Sequence, residues 1–161
     1  MSPLRVYVLR LAGGKWYVGR TNKNVDERFE EHLRGDGCGW TKKYPPESLS
    51  EIKNNADDFD EDKVVKKYMA EYGIDNVRGG SYVTERLGIH QIKFIRREIW
   101  MAQGRCLRCG REGHFARKCW AATDVDGKPL KMKCWKCKQH LGGPLTLQQH
   151  ICPYRSDDIE Q

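Results

Sequence analysis

With 161 residues, 29 Lys and Arg against 22 Asp and Glu, and a net charge of +7, the chain has room for one domain with an apolar core and a second, small metal-stapled one. No run approaches the ~18 consecutive apolar residues that span a bilayer, so no membrane partner is expected. Six of the seven cysteines have spacings that suit metal rather than bridges, and the chain opens without a signal peptide; both point to a reducing intracellular compartment, nucleus or cytoplasm, including that of a virus-infected cell.

In chain order, Val6-Tyr7-Val8-Leu9 and Trp16-Tyr17-Val18-Gly19 are short β-branched and aromatic strands around Ala12-Gly13-Gly14-Lys15, which predicts a hairpin. Asn24 and the acidic Asp26 and Glu27 then open a helix of about ten residues, with Val25, Phe29 and Leu33 on one face and a stop at Gly35. Arg28 and His32 share a face of it at i, i+4 spacing. Ser48 to Lys53 reads as a third strand between Pro45-Pro46 and Asn54-Asn55. From Asp60 to Tyr72 a second helix turns a stripe of Val65, Tyr68, Met69 and Tyr72 to the sheet, and one turn back along that stripe lie Glu61 and Asp62. Gly79-Gly80 permits a close backbone approach, to a phosphate or simply within a tight turn. Ile89, Ile92, Ile95, Ile99 and Trp100 recur near helical period, predicting a helix that docks on the core. Residues 1–88 thus form the main domain and 89–104 a connecting helix.

The next stretch changes character. Cys106-x2-Cys109-x4-His114-x4-Cys119 places three thiols and an imidazole where they can close a tetrahedron on one zinc ion, with Gly110 and Gly113 supplying the tight turns. It resembles the retroviral-type zinc knuckle over its full length. That resemblance implies contacts to single-stranded bases and phosphates from Phe115, Trp120, Arg108, Arg111, Arg117 and Lys118. Cys134, Cys137, His150 and Cys152 repeat the ligand order with a longer loop and predict a second zinc site; His140 competes with His150 for the fourth position. The expected modules are a knuckle at 105–120, a second module at 121–155 entered through a hairpin at Asp126-Gly127, and an acidic tail at 156–161. Only Cys38 is left outside the two ligand sets. Residues 1–95 are nearly neutral, with 16 Lys and Arg against 15 Asp and Glu, whereas 96–155 hold 13 against 4. A positive field confined to the zinc-binding segment fits a polyanion, and an alternative is solubility alone.

The order of elements in about residues 4–83 resembles the GIY-YIG nuclease superfamily. Val6-Tyr7-Val8 stands for the first triplet, Tyr17-Val18-Gly19 for the second, and Arg28 for the family's helix arginine. Gly39 to Pro46 and Tyr68 to Tyr82 are similar to parts of a branch found in large DNA viruses and related hosts. The resemblance implies an α+β fold, a small three-stranded sheet flanked by helices, that hydrolyses phosphodiesters. Tyr7 would be the base, a phenol of lowered pKa, with Tyr17 as positioning partner and Arg28 as the fork on the phosphate. His32 would support that network or hold a phosphate oxygen, and Lys42 would contact phosphate. A glutamate after the third strand would bind one Mg²⁺ or Mn²⁺. Glu61 matches the residue type and reach; Asp62 is its neighbour, and an alignment on the tyrosine pattern of other branches puts Val65 there instead. The expectation is a metal-dependent endonuclease whose two zinc modules hold single-stranded or branched nucleic acid, DNA favoured over RNA. The alternative is a binding protein that keeps the nuclease scaffold without cutting.

Overall fold

The computed structural model describes residues 3–133, 140, 141 and 151, which fall into two compact units, Met1–Ile99 and Trp100–Gln161. Among the described residues no helix is long and apolar enough to cross a membrane.

The first unit is built on the expected hairpin. Strands β1 (Arg5–Leu11) and β2 (Lys15–Thr21) pair antiparallel, and the turn between them holds Gly13 at φ 71° and Gly14 at φ 69°. A Cβ opposes that conformation, so the glycines permit the turn. Helix α1 (Val25–Leu33) starts where Asn24 accepts the Asp26 N–H at 2.9 Å and ends before Gly35 at φ 88°. A one-turn helix α2 (Gly39–Lys43) follows, then β3 (Pro46–Lys53), two residues longer than expected, and α3 (Asp60–Tyr72). The fold is α+β with a small mixed sheet flanked by helices, in the order β3-β1-β2-β4.

The fourth strand adds to the expected three. β4 (Val77–Gly79) runs parallel to β2, pairing Trp16 with Val77 and Val18 with Gly79. Three residues with a central arginine carry no strand signature. Arg78 is nonetheless buried: its guanidinium donates to the carbonyls of Ile74, Val77, Thr84 and Glu85 and lies 4.5 Å from the Trp40 ring centre. A Cβ on Gly79 would overlap the Val18 carbonyl. Gly79 therefore serves the approach of β4 to β2, and Gly80 lies in the tight turn that follows, where the Tyr82 N–H donates to the Gly79 carbonyl at 2.8 Å.

Alternation along β1 sends Val6 and Val8 to one face and Tyr7, Leu9 and Leu11 to the other. The first face joins Val18, Val64, Val65, Met69 and Ile95. The second joins Tyr17, Val25 and Trp40, whose indole N–H donates to the Trp16 carbonyl at 3.0 Å. Each fully buried Val, Leu or Met contributes roughly 1.5–3 kcal/mol, so the two layers anchor the sheet from both sides. Helix α4 (Ile89–Ala102) packs Ile92, Ile95 and Ile99 on the first layer, but Ile89, expected in the same stripe, is exposed. It opens the first turn of the helix, and Leu87, two residues before it, is the buried member of the core there.

In the second unit the chain wraps residues 106–119 and then folds back: Val125 N–H donates to the Cys109 carbonyl at 2.7 Å, and Thr123 bridges Pro129. The expected turn at Asp126-Gly127 is present, with Asp124 Oδ1 accepting from the N–H groups of Asp126 and Lys128. Strands β5 (Met132–Lys133) and β6 (His140–Leu141) pair antiparallel.

Candidate active site and metal centre

Tyr7 lies opposite Gly19 in the hairpin, and a Cβ there would stand 2.5 Å from the Tyr7 hydroxyl and 2.9 Å from Tyr17 Cε1. Glycine at this position is thus a packing requirement of the two phenols. From α1, His32 enters beneath them, 2% exposed: its Nε2 is 2.9 Å from the Tyr7 hydroxyl and its Nδ1 is 3.1 Å from Thr41 Oγ1. Ring centres of Tyr7, Tyr17 and His32 lie 5.1–6.3 Å apart. Arg28, one turn before His32, pairs with Glu31, and its charge acts on the Tyr7 phenol. The fold brings Tyr7, Tyr17, Arg28 and His32 into one cluster.

The electrostatics correct one expectation. The Tyr7 phenol is not lowered in pKa. Burial pushes it up, and the hydrogen bond and charge of Arg28 only partly oppose that. Tyr17 is pushed up more strongly, again by burial first. At 1% exposure a Tyr7 phenolate would be poorly solvated, and one guanidinium does not make up for it. His32 moves the other way: burial, then the Arg28 charge, hold the imidazole at about 4, so it is neutral at pH 7.

The acidic start of α3 divides its labour. Asp60, buried, pairs with Lys53 and accepts the Asp57 N–H at 2.8 Å. Asp62 accepts from the Ser81 N–H at 2.8 Å and the Ser81 hydroxyl at 2.7 Å. Glu61, its side chain 14% exposed, accepts the Gly80 N–H at 3.1 Å and faces Arg20 Nε at 3.4 Å. Burial raises its pKa against those donors, and its charge in turn opposes ionisation of both Tyr7 and Tyr17. Of the two neighbouring candidates, it is Glu61 whose field reaches the phenols, while Asp62 holds the turn after β4. Val65 lies in the core and offers no ligand atom.

Arg20 and Thr41 were not anticipated. Arg20 follows Gly19 directly, and nothing in a single strand marks its partner 41 positions away. Thr41 sits in α2, which is too short to show a periodic pattern. Lys42 is exposed at the end of α2, and its neighbour Lys43 is paired with Glu85.

In the second unit, the ligand atoms of Cys106, Cys109, His114 and Cys119 lie within 4.8 Å of one another, with His114 Nε2 3.3 Å from Cys109 Sγ. A tetrahedral zinc with bonds of about 2.0–2.3 Å fits that set. Cys119 favours a thiolate: burial works against it, but hydrogen bonds from Ala121, His114 and Arg108 bring it down to about 6. Gly110, at φ 75°, lies against the Trp100 ring with no room for a Cβ.

The basic residues of the finger split. Arg108 donates to Cys119 Sγ at 3.2 Å and to the carbonyls of Cys119, Ala121 and Lys131. Arg111 donates to the Thr123 carbonyl at 2.6 Å and to that of Asp124 at 3.0 Å. Both guanidiniums, expected on nucleic acid, tie the fold-back segment to the knuckle. Phe115 at 76% and Trp120 at 68% exposure, with exposed Arg117 and Lys118, form the outward surface. The second ligand set, Cys134, Cys137, His150 and Cys152, lies outside the described residues.

Comparison with known proteins matches each unit separately. Residues 102–132 match the family described as GAG-polyprotein viral zinc-finger, a span that ends where the fold-back does. A UPF0213 protein of Xanthomonas axonopodis pv. citri is 39% identical over 46 residues, 29% of this chain and 44% of that protein. A UPF0213 protein of Xanthomonas campestris pv. campestris is 41% identical over 45 residues, 28% of this chain and 43% of that protein. The chain spans less than half the length of the curated relatives it matches. No solved structure matches it. The UPF0213 proteins are a GIY-YIG-like family, and these relatives are bacterial, so they support the nuclease superfamily without the viral branch. Together with the finger match and the Cys and His cluster, the likenesses support a GIY-YIG-like segment joined to a CCHC zinc knuckle that holds structural zinc.

Proposed function

We propose that the protein is a metal-dependent endonuclease: residues 1–88 cut a phosphodiester, the connecting helix at 89–104 joins them to the finger, and the zinc modules at 105–120 and 121–155 hold single-stranded or branched nucleic acid. The observation that carries this reading is the convergence of Tyr7, Tyr17, Arg28 and His32 on one hydrogen-bonded centre, with the Glu61 carboxylate acting on the same phenols.

Hydrolysis needs a proton acceptor for water, positive charge over the phosphate and stabilisation of the leaving oxygen. Tyr7 takes the proton of the attacking water, and Tyr17 packs beside it and sets its position. Arg28, partly exposed beside the phenols, offers the scissile phosphate a planar fork that lysine lacks. Glu61 is the residue that would hold Mg²⁺ or Mn²⁺, which carboxylate oxygen suits better than zinc. Bound there, such an ion would supply positive charge to the leaving oxygen. Exposed Phe115 and Trp120 offer rings for unstacked bases, and Arg117 and Lys118 offer charge to phosphates. DNA is favoured over RNA as substrate.

The test is incubation of zinc-loaded full-length protein with single-stranded, duplex and branched substrates, with and without added Mg²⁺ or Mn²⁺. Omitting the divalent ion, rather than chelating it, leaves the fingers intact. Cleavage that appears with the ion and disappears in Glu61→Gln supports the reading; ion-dependent cleavage unchanged in Glu61→Gln removes that residue from the site. A second reading, a binding protein on a silent scaffold, is favoured by the donors already bonded to Glu61, Gly80 N–H and Arg20. It predicts binding to the same substrates with no cleavage under any ion.

A further inference from the structure

The raised pKa of Tyr7 leaves a question that the nuclease reading does not answer by itself. A phenol that keeps its proton at rest accepts one from water only if its own leaves at the same time. We propose that Thr41 is a positioning residue that locks His32 in the Nδ1–H tautomer, making His32 Nε2 the acceptor of the Tyr7 proton. This rests on the nuclease reading for its catalytic half and on the hydrogen-bond geometry alone for its tautomeric half.

The geometry runs in one direction. The Thr41 hydroxyl donates its single proton to the Cys38 carbonyl at 3.1 Å, an acceptor it shares with the Lys42 N–H. Thr41 Oγ1 therefore presents a lone pair to His32 Nδ1 at 3.1 Å, and Nδ1 must be the nitrogen that carries hydrogen. A neutral imidazole has only one N–H. Nε2 is bare, and the Tyr7 hydroxyl at 2.9 Å is its donor. The Arg28 charge acts on the Tyr7 phenol from the other side. The charged and titratable groups acting on this pair are Arg28, Glu31, Glu61 and Cys38, besides Tyr17.

Gly37 shows that the contact is built in. A Cβ at that position would overlap both Thr41 Oγ1 and His32 Nδ1, so any other residue there would wedge the pair apart. In the reaction, the water oxygen forms its bond to phosphorus while its proton passes to Tyr7 Oη. The Tyr7 proton passes to His32 Nε2, and the leaving oxygen departs with the electron pair of the broken P–O bond. His32 becomes an imidazolium whose Nδ1–H remains bonded to Thr41, and it returns the proton to Tyr7 after product leaves.

The test combines a spectroscopic and a kinetic measurement on ¹⁵N-labelled, zinc-loaded full-length protein. Imidazole ¹H–¹⁵N correlation at pH 7, with His32 assigned by its loss in His32→Gln, is expected to show a protonated Nδ1 and a bare Nε2. Thr41→Val should shift His32 toward the other tautomer or a mixture, and Thr41→Ser should restore the wild-type pattern. With Mg²⁺ or Mn²⁺ and a cleavable substrate, Thr41→Val should lower kcat at least roughly tenfold and alter the pH profile, with substrate Kd unchanged and Thr41→Ser rescuing both. An Nε2–H signal in wild type, or an Nδ1–H pattern unmoved in Thr41→Val, overturns the positioning role. A wild type that cuts no substrate overturns the nuclease reading and the acceptor role with it, while the spectrum still decides the tautomer.

Discussion

The two units of this chain solve the problem of holding polar chemistry in place by opposite means. The first buries apolar residues on both faces of its sheet and sinks Tyr7, Tyr17 and His32 among them. The second, among its described residues past α4, buries little beyond Cys106, Cys109, Gly110 and Asp124, and relies on four converging ligand atoms and two arginines bonded to backbone carbonyls. In one, packing fixes the protonation of the functional groups. In the other, a metal fixes the backbone and leaves Phe115 and Trp120 exposed to find a ligand.

The largest test of that contrast is zinc removal. Structural zinc in fingers is worth roughly 10–16 kcal/mol of apparent binding energy, so chelation should unfold residues 103–131 while 3–99 keep their amide protection. Hydrogen exchange with and without chelator measures it, and joint loss of protection would erase the distinction. Next is pH. His32 titrates near 6.5 when unfolded and near 4 when folded, so the unfolded chain takes the proton first. The associated stability is complete above about pH 6.5 and falls as pH drops toward 4, by about 3 kcal/mol. Urea titrations of the wild type and His32→Gln over that range should differ in slope; parallel curves would mean the imidazole is not held neutral.

Smaller effects sharpen the comparison. Gly19→Ala drives a methyl into the Tyr7 hydroxyl and should cost about 1–3 kcal/mol in the first unit alone, read as a lowered denaturation midpoint. Phe115→Ala and Trp120→Ala should leave both units folded and weaken single-strand binding by about 1–3 kcal/mol per ring, seen in fluorescence anisotropy. Undiminished affinity in both variants would move the binding surface elsewhere.

What the sequence disclosed follows the same division. Tyr7 and Tyr17 on a hairpin, and Arg28 and His32 at i, i+4, were legible because their spacing is the spacing of local structure. β4 was not, since its three residues are held by Arg78 donating to carbonyls up to seven positions away and by the glycine contact to β2. Glu61, chosen over Asp62 along one helix turn for its type and reach, meets Gly80 and Arg20, while Asp62 meets Ser81. The bonds of Arg108 and Arg111 to fold-back carbonyls were hidden because composition counts charge and does not name its partners. The raised pKa of Tyr7 was hidden for the same reason: burial of a strand aromatic depends on what covers it, here α1 and α2.

The central claim is that the buried phenol cluster cuts while the finger holds. Cleavage and binding of one labelled single-stranded or branched substrate, measured side by side for wild type, Arg28→Ala and Cys109→Ser with Mg²⁺ or Mn²⁺, test it most directly. The account predicts that Arg28→Ala loses cleavage by roughly 10²–10³-fold with Kd unchanged, and that Cys109→Ser loses affinity. Equal cleavage by wild type and Arg28→Ala would contradict it.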